Sequence, residues 1–284
     1  MGAAERWVVY ATFDPNGESA AFAVDQLLEY RRLGFSTLVV DTSPRLSARR
    51  ATDWGSSASA WFQRPNVGYD FASYRAGVEH LIERQGVDPL ALELILANDS
   101  CFGPFFPMDR VLDRLSHGPA AETGRVAFGM TDSYQFTHHL QSYWMLFRPD
   151  VTPLVVQFLR TMPTAADRDG AIELGELGLS RHLKAAGCEL RAFCSIDQTL
   201  ASFSRNPVGL WSLVELGVRR LLDRPRYNRC ADTQCLRYLL RRPSKLPHMN
   251  SCLLFGSHMY HREMLPLIKR SLLRDNVYED PRLP

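Results

Sequence analysis

The sequence predicts an α/β fold: a mostly parallel, Rossmann-type sheet flanked by helices, with a helical C-terminal extension. Three observations predict it. The first hundred residues alternate apolar runs of strand length with stretches of helical periodicity. Acidic residues stand at or just beyond the ends of several of those runs. No internal repeat or flexible linker divides the chain. The first strand is Trp7-Val8-Val9-Tyr10-Ala11, broken by Pro15-Asn16-Gly17. A helix follows over residues 18–33, with Phe22, Val24, Leu27 and Leu28 at helical spacing, and Gly34 sits where a C′ glycine belongs. Residues 35–40 are β-branched and end at Asp41, and residues 58–62 suit a short third strand. Asp70 is placed to cap a helix running to about residue 84. The apolar run 92–97 then empties into Asn98-Asp99-Ser100. In such sheets ligands bind beyond the carboxyl ends of the strands, so Asp14, Asp41 and Asp99 mark the expected polar site.

The second half predicts strands over 125–131, 140–147 and 189–193 and helices over 150–162 and 175–186. From residue 207 onward the pattern is helical with proline breaks. We therefore expect a core over residues 1–205, split near residue 105 into two halves, and an extension over 206–284.

Composition excludes several classes. With 284 residues, 45% hydrophobic and 23% charged, the chain is neither disordered nor low in complexity. A net charge of +2 argues against a dedicated nucleic-acid binder. No apolar run approaches the roughly 20 residues that span a bilayer, and no secretory signal pattern opens the chain. The six cysteines lack a disulfide or zinc pattern, which predicts reduced thiols and a cytoplasmic setting.

Four segments concentrate polar and aromatic residues. The first, residues 64–75, holds Asn66, Gly68, Tyr69, Asp70, Tyr74 and Arg75; it reads either as a capped helix or as an anion site at a helix N-terminus. In Asn98-Asp99-Ser100, a lone Asp after an interior strand suits Mg²⁺ or Mn²⁺ bridging a diphosphate, and an Asx-turn accounts for it equally. The third runs from residue 129 to 144. Its tandem histidines, His138 and His139, should point to opposite faces of a strand and so not chelate one ion together. His139, Gln141, Tyr143 and Trp144 read as a groove for a sugar or as a sheet edge with mixed faces. The fourth places Glu176 at the start of an amphipathic helix, where the dipole favours a carboxylate whatever its role.

Taken together, NVGYDFASYRAG (66–77), LILANDSCFGPFFPM (94–108), FGMTDS (128–133), HLQSYWMLF (139–147), ELGLS (176–180) and PLIKRSLLRDN (266–276) resemble the rhamnan synthesis protein F family of bacterial polysaccharide glycosyltransferases. The resemblance implies a GT-A-type enzyme with a nucleotide-sugar site on the Rossmann-like half. It implies transfer of a sugar, rhamnose from dTDP-rhamnose being the leading donor, to a growing cell-surface polysaccharide or lipid-linked oligosaccharide. The first segment and Asn98-Asp99-Ser100 would bind the donor, with Lys269, Arg270, Arg274 and Arg75 as clamps on the diphosphate. A divalent cation (Mn²⁺ or Mg²⁺) would sit on Asp99, with His258 or His261 completing its shell. Glu176 resembles the general base of inverting GT-A enzymes, with Asp132 as runner-up, and His139, Gln141, Tyr143 and Trp144 would face the acceptor. A non-catalytic sugar- or nucleotide-binding domain is the alternative, since only one residue of Asn98-Asp99-Ser100 is acidic.

The charge is unevenly spread. Between Glu215 and Lys245 nine basic residues face three acidic ones, which leaves the remainder of the chain net acidic. A basic segment of this kind predicts peripheral contact with the inner face of the membrane, where an undecaprenyl-type acceptor would ride.

Overall fold

The computed structural model describes residues 4–18, 21–116, 124–199 and 265–270. Strand β1 (Glu5–Thr12) lies between β2 (Ser36–Asp41) and β4 (Leu92–Asn98), and β2 pairs with β3 (Ala60–Gln63), all in parallel. Beyond β4 the sheet continues through β8 (Trp144–Phe147) to β6 (Val126–Ser133), which pairs in turn with β7 (His139–Leu140) and β9 (Glu189–Cys194). Strands β7 and β8 run against the rest. The reason is chain length. Parallel return from β6 would need a crossover of a dozen or more residues, and β7 follows β6 after a short turn. The predicted strand over 140–147 is accordingly two short strands interrupted at residues 141–143. The mostly parallel sheet flanked by helices is otherwise as the sequence predicts.

Alternation along β1 divides the core. Val8 and Tyr10 pack with Ala23, Leu27 and Tyr30 of α1 (Ala21–Arg32) and Trp54 of α2 (Ala48–Ser57). Val9 and Ala11 pack on the other face with α3 (Tyr69–Gln85), α5 (Thr152–Thr161) and α7 (Gly178–Ala185). Between them α4 (Asp109–Ser116) covers the first face, and a short β5 (Cys101–Phe102) pairs antiparallel with β10 (Ile268–Lys269). That pairing returns the distant segment 265–270 to the end of β4. Helix α6 (Arg168–Gly170) runs through a π-helical stretch, Ala171–Leu177, into α7.

Within the C-terminal stretch expected to be helical, Ile268–Lys269 is instead a strand, because it pairs with β5. Two further features differ from expectation. Gly68, at φ +80°, is the N-cap of α3, not Asp70, whose carboxylate is used elsewhere. Helix α2 was not predicted, because its buried face is Arg50, Trp54 and Ser57 rather than an apolar stripe. Ser47 caps it by accepting a hydrogen bond from the Arg50 N–H at 3.1 Å.

Among the described residues Arg50 is a buried side chain with three hydrogen-bonded partners. Its Nε donates to Asp41 Oδ2 (2.6 Å), one terminal nitrogen to the Glu18 carbonyl (2.7 Å) and the other to Thr12 Oγ1 (2.8 Å). Trp54 Nε1 also donates to Asp41 Oδ2, at 2.7 Å. Both members of the Arg50–Asp41 pair have fully buried side chains. Removing one partner strands a buried charge, so Arg50→Met should lose about 3–5 kcal/mol of stability in denaturant unfolding. A loss below about 1 kcal/mol, the worth of an exposed pair, would contradict the assignment.

Candidate active site

The carboxyl ends of β1 and β4 meet at Asp99. Its Oδ2 accepts from Thr12 Oγ1 (2.8 Å) and from the Phe13 N–H (3.1 Å). Because Arg50 can only donate, the Thr12 hydroxyl must accept from Arg50 and direct its own proton at Asp99. Arg270 approaches from just after β10, with Nη1 3.1 Å from the Asp99 carbonyl and 3.9 Å from its carboxylate. Its N–H donates to the Ser100 carbonyl. Burial raises the Asp99 carboxyl pKa, against the pull of Phe13 N–H, Thr12 and Arg270.

The Asx-turn is present, formed by Asn98. Its Oδ1 accepts from both the N–H and the hydroxyl of Ser100, at 3.0 and 2.6 Å. Its amide nitrogen donates to Asp70 Oδ2 at 2.7 Å. Burial raises Asp70 to about 7, reinforced by the Asp99 and Glu176 charges and opposed by Asn98 and Lys269. Tyr69 beside it holds φ +56° with its side chain 42% exposed, an unusual conformation for a non-glycine residue at the mouth of the site. Asn66 lies exposed in the preceding turn. Tyr74 is buried one helical turn beyond Asp70, and its hydroxyl donates to the Ser142 carbonyl at 2.9 Å.

Glu176 comes from the π-helical stretch. Gly175 before it rests on the Phe71 ring so closely that a Cβ would lie 2.4 Å from a ring carbon, which explains the glycine. Glu176 Oε2 accepts the Ser142 N–H (2.9 Å), and Ser180, one turn on, accepts the Leu140 N–H (3.2 Å). The ELGLS and HLQS pieces are therefore one unit, in which a helix face satisfies the backbone where β7 breaks off. Burial alone would raise Glu176, yet its pKa is lowered by the hydrogen bond from His139, the Lys269 charge and the Ser142 N–H. Lys269 stands over the Tyr143 ring at 5.4 Å.

The tandem histidines part as expected. His138 Nε2 lies 3.1 Å from Asp132, whose other oxygen accepts the Ile196 N–H, whereas His139 Nε2 lies 3.0 Å from Glu176. Asp132 and Glu176 thus hold separate partners.

Two expectations need correction. Arg75 does not clamp the donor side: its guanidinium donates to the Met162 carbonyl and Thr164 Oγ1, bracing the loop behind Gly68. Nor do His139, Gln141, Tyr143 and Trp144 line an open groove, since each is at most 3% exposed. Gln141 and Tyr143 are tied to Thr131 at 2.7 and 2.8 Å, and Trp144 is core. Across β7, the break at 141–143 and the start of β8, these side chains are buried and leave no side free for an acceptor. Arg274, His258, His261 and the basic stretch 215–245 lie outside the described residues. Sequence reasoning missed Arg50, Thr12 and Phe13; the position of Thr12 and Phe13 directly after an apolar strand was the available signal.

The described residues do not fit a protein-held divalent cation. Asp99 is a single carboxylate whose Oδ2 already accepts two hydrogen bonds, and its neighbour Asn98 is an amide turned to Asp70 and Ser100. Among the described residues no three His, Cys, Asp or Glu side chains are grouped to hold a metal. Likewise, no helix among them is long and apolar enough to cross a membrane.

The sequence model of rhamnan synthesis protein F matches residues 39–207. The chain belongs to the rhamnan synthesis protein F family. Within that family span lie α2 with Arg50, the Asn98-Asp99-Ser100 turn and Glu176; β1 and β10 fall outside it. Among curated relatives, "Uncharacterized protein y4gN" of Sinorhizobium fredii is 27% identical over 143 residues, 50% of this chain and 36% of that protein. "Virulence protein VirA" of Vibrio anguillarum is 27% identical over 153 residues, 52% of this chain and 47% of that protein. The chain thus spans half or less of the curated relatives it matches. Among solved structures, similarity extends to a 4-diphosphocytidyl-2C-methyl-D-erythritol synthase (15% identity, TM-score 0.39, 66% of this chain and 88% of that one). A mannosyltransferase from Pyrobaculum calidifontis, solved with GDP-Man and Mn²⁺, is 9% identical with a TM-score of 0.38, covering 87% of this chain and 72% of that one.

Asp70 generates a stability prediction. Its carboxyl is raised in the folded state from an ordinary value of 3.8 to about 7, so the fold holds a proton there that the unfolded chain releases. The associated stability is fully present below the unfolded value and is lost as pH rises through about 7. Asp70→Asn should flatten the pH dependence of unfolding across that window and gain stability over the parent at alkaline pH. An unchanged profile would refute the buried-acid assignment.

Proposed function

We propose that this chain is a glycosyltransferase domain that moves a sugar from a nucleotide-diphosphate donor to a growing cell-surface glycan. Rhamnose from dTDP-rhamnose is the proposed donor, and a lipid-linked oligosaccharide the proposed acceptor. The observation that carries the reading is the meeting of Asp99, Asp70 and Glu176 with Lys269 and Arg270 where β1 and β4 end, the place a parallel sheet offers a ligand. Family membership supports the substrate class.

In this reading the donor lies over Asn98-Asp99-Ser100 and the α3 N-terminus. Glu176 takes the proton of the acceptor hydroxyl as that oxygen attacks the anomeric carbon, and the sugar–phosphate bond breaks with its electrons leaving on the diphosphate. The anomeric centre inverts. Lys269 and Arg270 supply positive charge toward the leaving group. Asp99 is fixed by Thr12 and Phe13 N–H as a hydrogen-bond acceptor for donor hydroxyls. Residues 1–205 would form the core and 206–284 complete the site, with residues 215–245 resting on the inner membrane face.

Glu176→Gln keeps the oxygen that accepts the Ser142 N–H, so it should fold and lose about 10²–10⁴-fold in donor turnover. Asp99→Asn should weaken donor binding in a thermal-shift screen of nucleotide-sugars run with and without Mn²⁺. Full turnover in both variants would overturn the role assignments. Stabilisation by a nucleotide-sugar with no turnover of any donor would instead favour the non-catalytic binding domain.

A further inference from the structure

The His139 ring makes two contacts that together define its protonation. Nδ1 lies 2.7 Å from the Thr137 carbonyl, which can only accept, so Nδ1 carries a proton. Nε2 lies 3.0 Å from Glu176 Oε1. A hydrogen bond at that distance needs one proton between the two atoms. When Glu176 is ionised the proton belongs to Nε2, the ring is an imidazolium, and the pair is a charge-assisted bond with no net charge. The ring is 3% exposed and the Glu176 side chain 15% exposed. The carboxylate therefore remains reachable while its partner does not.

We infer that His139 is a positioning residue for Glu176: its imidazolium, oriented by the Thr137 carbonyl, holds the carboxylate in place and ionised while the Ser142 N–H fixes the second oxygen. With both oxygens anchored, one lone pair on each stays available to the acceptor hydroxyl. The inference rests on Glu176 being the general base. It also reassigns His139, which the sequence placed among acceptor contacts.

The charged and titratable groups facing Glu176 are Lys269 from β10, His139 from β7, and Asp70 and Tyr74 from α3. Lys269 and His139 favour the ionised carboxylate, and Asp70, which keeps its proton up to about 7, adds no opposing charge in the acidic range. Loss of the imidazolium leaves Lys269 as the remaining cation. Glu176 then protonates more readily, and the acidic limb of a pH–rate profile moves to higher pH.

The test is the pH dependence of kcat/KM for donor turnover in the full chain, in the parent, His139→Gln and His139→Ala. Gln retains a neutral donor toward Glu176 but no charge. Both variants should shift the acidic limb upward by about one pH unit or more, with the acceptor KM little changed. An unmoved limb with a raised acceptor KM would return His139 to an acceptor-contact role and overturn the inference. Glu176→Gln, run alongside, separates the two levels: full activity there sinks the general-base reading itself, whereas an inactive Glu176→Gln with unshifted His139 variants sinks only the positioning role. Should both His139 variants fail to fold, ¹⁵N spectra of the parent ring decide. Protons on both ring nitrogens while Glu176 is ionised support the pair, and a bare Nε2 overturns it.

Discussion

The structure depends on one guanidinium. Arg50 sits where β1, β2 and the loop before α1 come together, and its donors reach Thr12, Asp41 and the Glu18 carbonyl at once. A buried ion pair adds little net stability over an apolar pair, but its geometry is demanding, and that demand passes directly to the site. Arg50 obliges the Thr12 hydroxyl to point at Asp99, so the orientation of the one acidic side chain at the end of β4 is set by a helix on the far side of β1. Asp41, itself at the end of β2, is consumed in the same network and is not free for a ligand.

A second constraint is charge. Asp70, Asp99 and Glu176 crowd one region, and three ionised carboxylates there would repel strongly in a partly desolvated setting. The protein resolves this in three ways. Asp70 keeps its proton into the neutral range because burial outweighs the amide donor from Asn98. Asp99 is offset by Arg270 and two hydrogen-bond donors, and Glu176 by His139 and Lys269. Lys269, in β10, and Arg270, the residue after it, come from far along the chain and beyond the family-matched span. The short β5–β10 pairing is therefore what completes the electrostatics of the site.

Much of this was legible in the sequence, for identifiable reasons. Strands β1, β2 and β4 are continuous apolar runs ending in polar residues, which is how buried parallel strands read. The separate partners of His138 and His139 agree with the expected parting of the two side chains, although β7 begins only at His139. Helix α2 was hidden because its inward face is an arginine and a tryptophan among Ser, Thr and Gly, so no apolar period exists to be found. The quartet from His139 to Trp144 looked like a sugar groove because aromatic and amide side chains suit both sugars and buried networks; only its burial distinguishes them. Arg75 looked like a clamp because it is a basic residue inside a family motif, but on a helix its offset of five from Asp70 turns it away from the face Asp70 and Tyr74 share.

The central claim is that a sugar nucleotide sits beyond the carboxyl ends of β1 and β4, against Asp99, and not in the apolar groove that Phe22, Leu28 and Phe105 form near α1. Hydrogen–deuterium exchange with and without a bound nucleoside-diphosphate sugar tests it most directly. The account predicts slowed exchange at residues 12–14, 66–70 and 98–100, with the groove unchanged. Protection confined to the groove, with those strand ends exchanging as before, would contradict it.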